Sequence, residues 1–107
     1  MEYLEFIETA AFSKTRKGLM EDDEFSEFQC WLLDNHEQGD TVAGTGGCKK
    51  IRWSRPGSGK SGGLRIIYYA RAASGRIYLI VMYTKSRQEN LTDTQKAQIK
   101  AALQRMG

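Results

Sequence analysis

At 107 residues, 40% of them apolar and 10% aromatic, the chain can build one hydrophobic core but not two, so a single domain over 1–107 is expected. No apolar run approaches the roughly 18 residues of a membrane span, and Glu2, Glu5 and Glu8 give the N-terminus the wrong sign for a signal peptide, so no membrane partner and a cytoplasmic location are expected. The net charge of +3 is unevenly distributed: residues 1–43 hold eleven carboxylates and three cations, residues 44–90 ten cations and one carboxylate, so a polyanion should favour the middle of the chain and avoid the first third.

In chain order, Tyr3, Leu4, Phe6 and Ile7 suit a short first strand, and Thr9 can cap a helix that runs to about Lys17 and stops at Gly18. A second helix opens on Glu21, Asp22, Asp23 and Glu24, four carboxylates at the positive end of its dipole. Phe25, Phe28 and Leu32, with Cys30 and Trp31 near by, give it a core-facing stripe, and it should end near His36, which reads as structural or exposed. Thr41 to Thr45 is β-like and leads into Gly44, Gly46 and Gly47. Further on, Ser74 and Gly75 turn the chain into Arg76–Tyr83, an apolar run that reads as a strand covered on both faces at the centre of a sheet. The last helix starts at Thr92, with Gln95 placed for a capping box, and has Ile99, Leu103 and Met106 on one side and Lys96, Lys100 and Arg105 on the other. The expected class is α+β: an antiparallel-rich central sheet, two N-terminal helices and a C-terminal helix, with the helices on one side.

The stretch Gly44–Arg71 carries seven cations and no carboxylate. Lys50 and Arg52 alternate with Ile51 and Trp53, and Arg65 opens the run Ile66, Ile67, Tyr68, Tyr69, a period-2 pattern that means two strands. Between them Ser54–Gly63 has four glycines and the only proline, which suits a long hairpin loop. Two paired strands and this loop would hold Arg and Lys on one surface with nothing near to neutralise them, and such a surface calls for an anion.

Several chemistries drop out. GSGKS at 57–61 looks like a phosphate-binding loop, but the pattern needs glycine where Ser54 stands, and the segment that follows reads as strand where a helix is required. Cys30 and Cys48 lack metal-ligand spacing and read as plain thiols, and the lone His36 lies in the acidic third. No metal and no cofactor are expected. What remains is Arg, Lys and Tyr, which suffice for one reaction: attack of a ribose 2′-hydroxyl on the adjacent phosphate of RNA. Arginine offers bidentate donors to phosphate oxygens. A lysine crowded by other cations loses its proton more easily and can exchange one near neutral pH.

GTGGCKKIRW at 44–53, GGLRIIYY at 62–69 and IYLIVMYTKSRQENLT at 77–92, with the order of elements, resemble the RelE/ParE superfamily of bacterial toxins, and within it the HigB-type, RelE-like branch. The resemblance covers nearly the whole chain. It implies a RelE-like fold and the toxin of a type II toxin–antitoxin system: a metal-independent, ribosome-dependent endoribonuclease that cuts mRNA in the A site and inhibits translation. The implied catalytic residues are Lys50, Arg52, Arg65, Lys85 and Arg87, with Lys49, Arg55, Lys60, Trp53 and Tyr83 binding RNA. The implied partners are the ribosome with its mRNA and a cognate antitoxin of helix-turn-helix, HigA-like type, through which alone operator DNA would be contacted. The sequence departs from the family pattern in having Thr92 near the place of a base-stacking tyrosine, Thr84 for a glycine and no catalytic histidine. Tyr83 and Trp53 are the two candidate stacking rings. The alternative is a binding protein without nuclease activity, either a ParE-like inhibitor of DNA gyrase or a basic nucleic-acid-binding module.

Overall fold

The computed structural model describes residues 5–54, 63–71, 73–88 and 90–105. Along the chain lie β1 (Glu5–Glu8), α1 (Ala10–Arg16), α2 (Asp22–Asn35), β2 (Asp40–Thr41), β3 (Lys49–Trp53), β4 (Leu64–Arg71), β5 (Arg76–Thr84) and α3 (Asp93–Arg105). The strands form one mixed sheet in the order β1-β5-β4-β3-β2, in which only the β1–β5 pair is parallel. The expected α+β class and antiparallel-rich sheet are therefore present. Of the apolar positions expected to open the first strand and close the last helix, Tyr3, Leu4 and Met106 lie outside the described residues, as does the interior of the 54–63 loop with Arg55, Lys60 and the GSGKS motif.

Local signals act where they were expected. The Thr9 hydroxyl accepts from Phe12 N at 3.1 Å and caps α1. Gly18, at φ +78, turns the chain out of that helix in a conformation L side chains rarely adopt. At α3, Gln95 N donates to Thr92 Oγ1 at 3.1 Å while Thr92 N donates to Gln95 Oε1 at 2.9 Å, the reciprocal exchange of a capping box. Thr41–Thr45 is mostly turn: β2 ends at Thr41, and the buried Thr45 hydroxyl donates to Val42 O at 2.7 Å and accepts from Cys48 N at 3.1 Å. Glycines in positive φ at 44, 46 and 47 make extended pairing impossible there.

Two cores sandwich the sheet. On one face Phe12, Met20, Phe25, Phe28 and Leu32 from α1, α2 and their connection meet Ile51, Leu64, Ile66, Tyr68, Leu79 and Met82. On the other, Ile99 and Leu103 of α3 pack with Leu91 against Cys48, Ile67, Tyr78, Ile80 and Tyr83. The expectation of helices on one side is thus corrected: α3 covers the second face. The physical reason is the near-continuous apolar run of β5, whose Tyr78 and Ile80 would face water if all three helices shared one side. β5 is interior to the sheet, but the middle strand of the five is β4.

β5 carries one extra residue against β4, since Ile67 pairs with Val81 and Tyr68 with Leu79. The resulting bulge puts Ile80 and Val81 on the same core side and turns the strand's later half. β1 pairs with β5 only as far as Leu79. Beyond it α1 takes over the edge, with Thr9 Oγ1 donating to Ile80 O at 2.8 Å and Thr15 Oγ1 accepting from Met82 N at 3.1 Å. A sheet edge that would otherwise be open is closed by side chains, and α1 is held beside the C-terminal end of β5.

A candidate nucleic-acid interface at one end of the sheet

Register builds the site. Arg52 on β3 lies opposite Arg65 on β4, and Arg65 lies opposite Tyr83 on β5. Directly opposed residues share a face, so Arg52, Arg65 and Tyr83 form a row across three strands at the end of the sheet. One step further along the strands the row is Lys50, Ile67 and Val81. This is the α3 face, at the end where cover stops: Ile67 and Tyr83 are buried in the second core, while Arg52 is exposed and Lys50 half-exposed. Lys85 and Arg87 follow immediately in the exposed turn after β5.

The charges in this row are costly. Like charges directly opposite one another destabilise a strand pair, and Arg65 is only 7% exposed. Among the described residues, neither Arg52, Arg65, Lys85 nor Arg87 forms an ion pair, whereas Arg16 is paired with Glu8 at 3.5 Å and Asp22 at 3.2 Å, and Arg76 with Glu5 at 2.7 Å. Beside Arg65, the Tyr83 hydroxyl is buried without a hydrogen-bond partner. Burial raises its pKa, opposed by the Arg65 charge, so at neutral pH it stays a neutral donor. A nearly buried, unpaired arginine beside an unpartnered phenol is a site prepared for an external acceptor.

Other predicted residues are placed differently. Lys49 is on the opposite side of β3 from Lys50 and donates through Nζ to Glu37 O at 3.1 Å. Trp53 also faces away, as period 2 requires of a residue next to Arg52. Its indole donates to Glu24 at 2.9 Å and its ring meets Phe28 and Trp31 edge-on at centroid distances of 5.1 and 5.8 Å. Trp53 is thus engaged by α2 on the face away from the arginines. Tyr83 remains with the arginines.

Asn90 is a residue the sequence reading missed. Its side-chain oxygen accepts from Lys50 Nζ at 3.4 Å, and its backbone oxygen accepts from Gln88 Nε2 at 3.0 Å, which also donates to Gln95 Oε1 at 3.1 Å. The cap of α3 is thereby tied to the loop after β5 and so to Lys50. No motif signals this contact, which joins residues forty positions apart. Among the described residues no cluster of His, Cys, Asp or Glu is arranged to hold a metal, and both cysteines are free thiols. Burial pushes the Cys48 thiol up to about 11, which makes it a poor nucleophile.

The fold is similar to that in the crystal structure of the intact E. coli RelBE toxin–antitoxin complex, with a TM-score of 0.51 at 14% identity, over 77% of this chain and 94% of that one. A model of the family described as the RelE toxin of the RelE/RelB toxin–antitoxin system matches residues 6–106, a span that takes in every described strand but the first residue of β1 and the whole row of cations. The sheet with its bare cationic end is accordingly that of a RelE toxin, the family to which this chain belongs.

Proposed function

We propose that the protein is a HigB-type toxin that cuts mRNA on the ribosome, with Lys50, Arg52, Arg65, Lys85 and Arg87 as its working residues. The observation that carries this reading is the row Arg52–Arg65–Tyr83: two opposed arginines, one nearly buried and without an ion pair among the described residues, next to a phenol without a partner. Such an arrangement costs stability in the free protein and recovers it when a phosphate arrives.

In the reaction the 2′-oxygen forms a bond to phosphorus as the P–O5′ bond breaks. The 2′-hydroxyl proton leaves to a base, and the departing 5′-oxygen takes up another. A 2′,3′-cyclic phosphate and a 5′-hydroxyl result. Arg52 and Arg65 would neutralise the pentacoordinate phosphate, with the Tyr83 hydroxyl as a further donor. Lys50, which donates to Asn90, and Lys85 in the turn after β5 are the candidates for the proton transfers, with Arg87 a further donor to phosphate. Arg52, Lys85 and Arg87 are exposed, so the ribosome would supply the walls that hold the codon against them, and naked RNA should be cut poorly. The compartment is then the cytoplasm, and the partner an antitoxin of the HigA-like, helix-turn-helix type. Mapping mRNA 5′ ends after brief induction tests the reading. Cuts at fixed codon positions that vanish in Arg65→Ala support it, whereas arrest without cuts, accompanied by gyrase poisoning, would replace it with the ParE-like reading.

A further inference from the structure

The first 43 residues are acidic as a whole, yet two of their three cations stand at the basic end of the folded molecule. Lys14 and Lys17, from α1 and just past it, line a cleft of about 430 Å³ together with Tyr83, Thr84, Arg87 and Gln88 from the end of β5 and the turn after it. No carboxylate is among the described residues that line it. Lys14, Lys17 and Arg87 are exposed and form no ion pair among the described residues, whereas Arg16, between the two lysines, is taken up by Glu8 and Asp22. The wall of the cleft also includes Tyr83, 5% exposed, whose hydroxyl is buried and unpartnered. Tyr83 is at once the cross-strand neighbour of Arg65. The cleft and the arginine row therefore meet at one side chain.

We propose that this cleft is a second anion subsite, which takes the ribose–phosphate backbone of a single RNA strand as it leaves the Arg52–Arg65 row and leads it over the end of β5 onto Lys14 and Lys17. The proposal rests on the RNA-cleaving reading above and extends its surface to an element that charge counting along the chain assigns to the repelled part. An acidic protein segment would also meet three cations here. RNA is favoured because Tyr83 belongs to both the row and the cleft, so one continuous chain of phosphates, spaced by single nucleotides, fits where a separate peptide would have to share it. Local placement explains the pattern: Thr9 and Thr15 pin α1 to the open half of β5, and the lysines one residue before and two after Thr15 are carried to that end of the sheet.

The test is binding of a fluorescent, fully 2′-O-methylated RNA of about 12 nucleotides, within the reach of such strands on single domains, followed by anisotropy across a salt series. Without a free 2′-hydroxyl the probe cannot be cut, so binding is read alone. Lys14→Ala/Lys17→Ala should weaken binding several-fold and lower the slope of log K against log salt by about 1.4, at about 0.7 per phosphate contact on a single strand. Lys96→Ala/Lys100→Ala, which removes equal charge on α3, should leave the slope near that of the parent. Loss of binding to the free oligonucleotide identifies the message as the source of the phosphates, and loss seen only in co-sedimentation with ribosomes identifies ribosomal RNA; either supports the subsite. An unchanged slope in both assays for the α1 pair, with Arg65→Ala still impaired, overturns the cleft and leaves the cleavage reading standing. Equal losses for the α1 and α3 pairs overturn it in favour of diffuse charge, and unchanged RNA binding with weakened binding of polyglutamate overturns it in favour of an acidic protein segment. If Arg65→Ala also binds as the parent does, the cleavage reading fails with it. Lys14 and Lys17 are exposed, so a matching far-UV spectrum and melting curve are expected for their double variant.

Discussion

The two faces of the sheet are built from the same strands and differ in where their cover ends. Under α1 and α2 the apolar side chains run without a break from Phe12 to Trp53, and even the polar group at that end, the Trp53 indole, is bonded to Glu24. Under α3 the cover runs from Cys48 and Tyr78 to Tyr83 and then stops, and the next side chains along β3 and β4 are Lys50, Arg52 and Arg65. Arg52 and Trp53 are neighbours in sequence and lie on opposite faces with opposite fates. A face that is fully covered can only stabilise, whereas one covered in part can also present unpaired charge at its open end. The difference separates residues that hold the fold from residues that spend part of its stability.

The strongest way to break this comparison is to exchange the expected effects. Arg65→Ala should abolish growth arrest and mRNA cutting while the melting temperature stays close to the parent or rises, because the substitution removes a like-charge neighbour of Arg52. A fully toxic Arg65→Ala protein would refute its place at the centre of the open end. On the covered face, Phe28→Ala should lower unfolding free energy by about 3–5 kcal/mol in denaturant titration, the range for removing a buried aromatic ring from a close-packed core. Growth arrest would then be lost only through the population of folded toxin.

Antitoxin binding sharpens the contrast from outside. If the partner's acidic residues cover the open end, Lys50→Glu/Arg52→Glu should weaken the complex by a large factor that shrinks as salt rises, as charge pairs across interfaces do. An unchanged dissociation constant would move the contact to α1 and α2, around Glu21–Glu27.

Smaller effects test the assignment of single groups. Trp53→Phe keeps the ring contacts with Phe28 and Trp31 but gives up the bond to Glu24, so a loss of about 1 kcal/mol is expected, with growth arrest retained. Loss of arrest at unchanged stability would return Trp53 to the RNA surface. Cys48 gives the smallest signal. Its thiol titrates near 9.0 when exposed and is pushed up to about 11 by burial in the fold, so between these values the unfolded chain releases a proton that the folded one keeps. Stability should therefore be intact below pH 9 and fall as pH rises towards 11, and Cys48→Ala should flatten that part of the pH–stability curve measured by urea unfolding.

Much of the molecule was legible from short-range patterns, because the physics behind those patterns is itself short-range. Thr9, Gly18 and the Thr92–Gln95 exchange mark helix ends through bonds and dihedrals within a few residues. Alternation along Lys49–Trp53 and Leu64–Arg71 marks strands because successive side chains must point to opposite faces. The cations opposite one another were readable as a charged stretch, but only register makes Arg52, Arg65 and Tyr83 a row, and register depends on pairing partners far apart in the chain. The side of the sheet that takes α3 was decided by which apolar face of β5 remained bare, a property of the assembled sheet. So was the fate of Trp53: alternation puts it opposite Arg52 from sequence alone, but the aromatic pair on α2 that claims its ring comes together only when that helix packs. Charge behaved the same way. Summed along the chain, α1 belongs to an acidic third, yet two threonine bonds to β5 carry Lys14 and Lys17 to the basic end, because electrostatic potential depends on distance through space and the fold alone sets that distance.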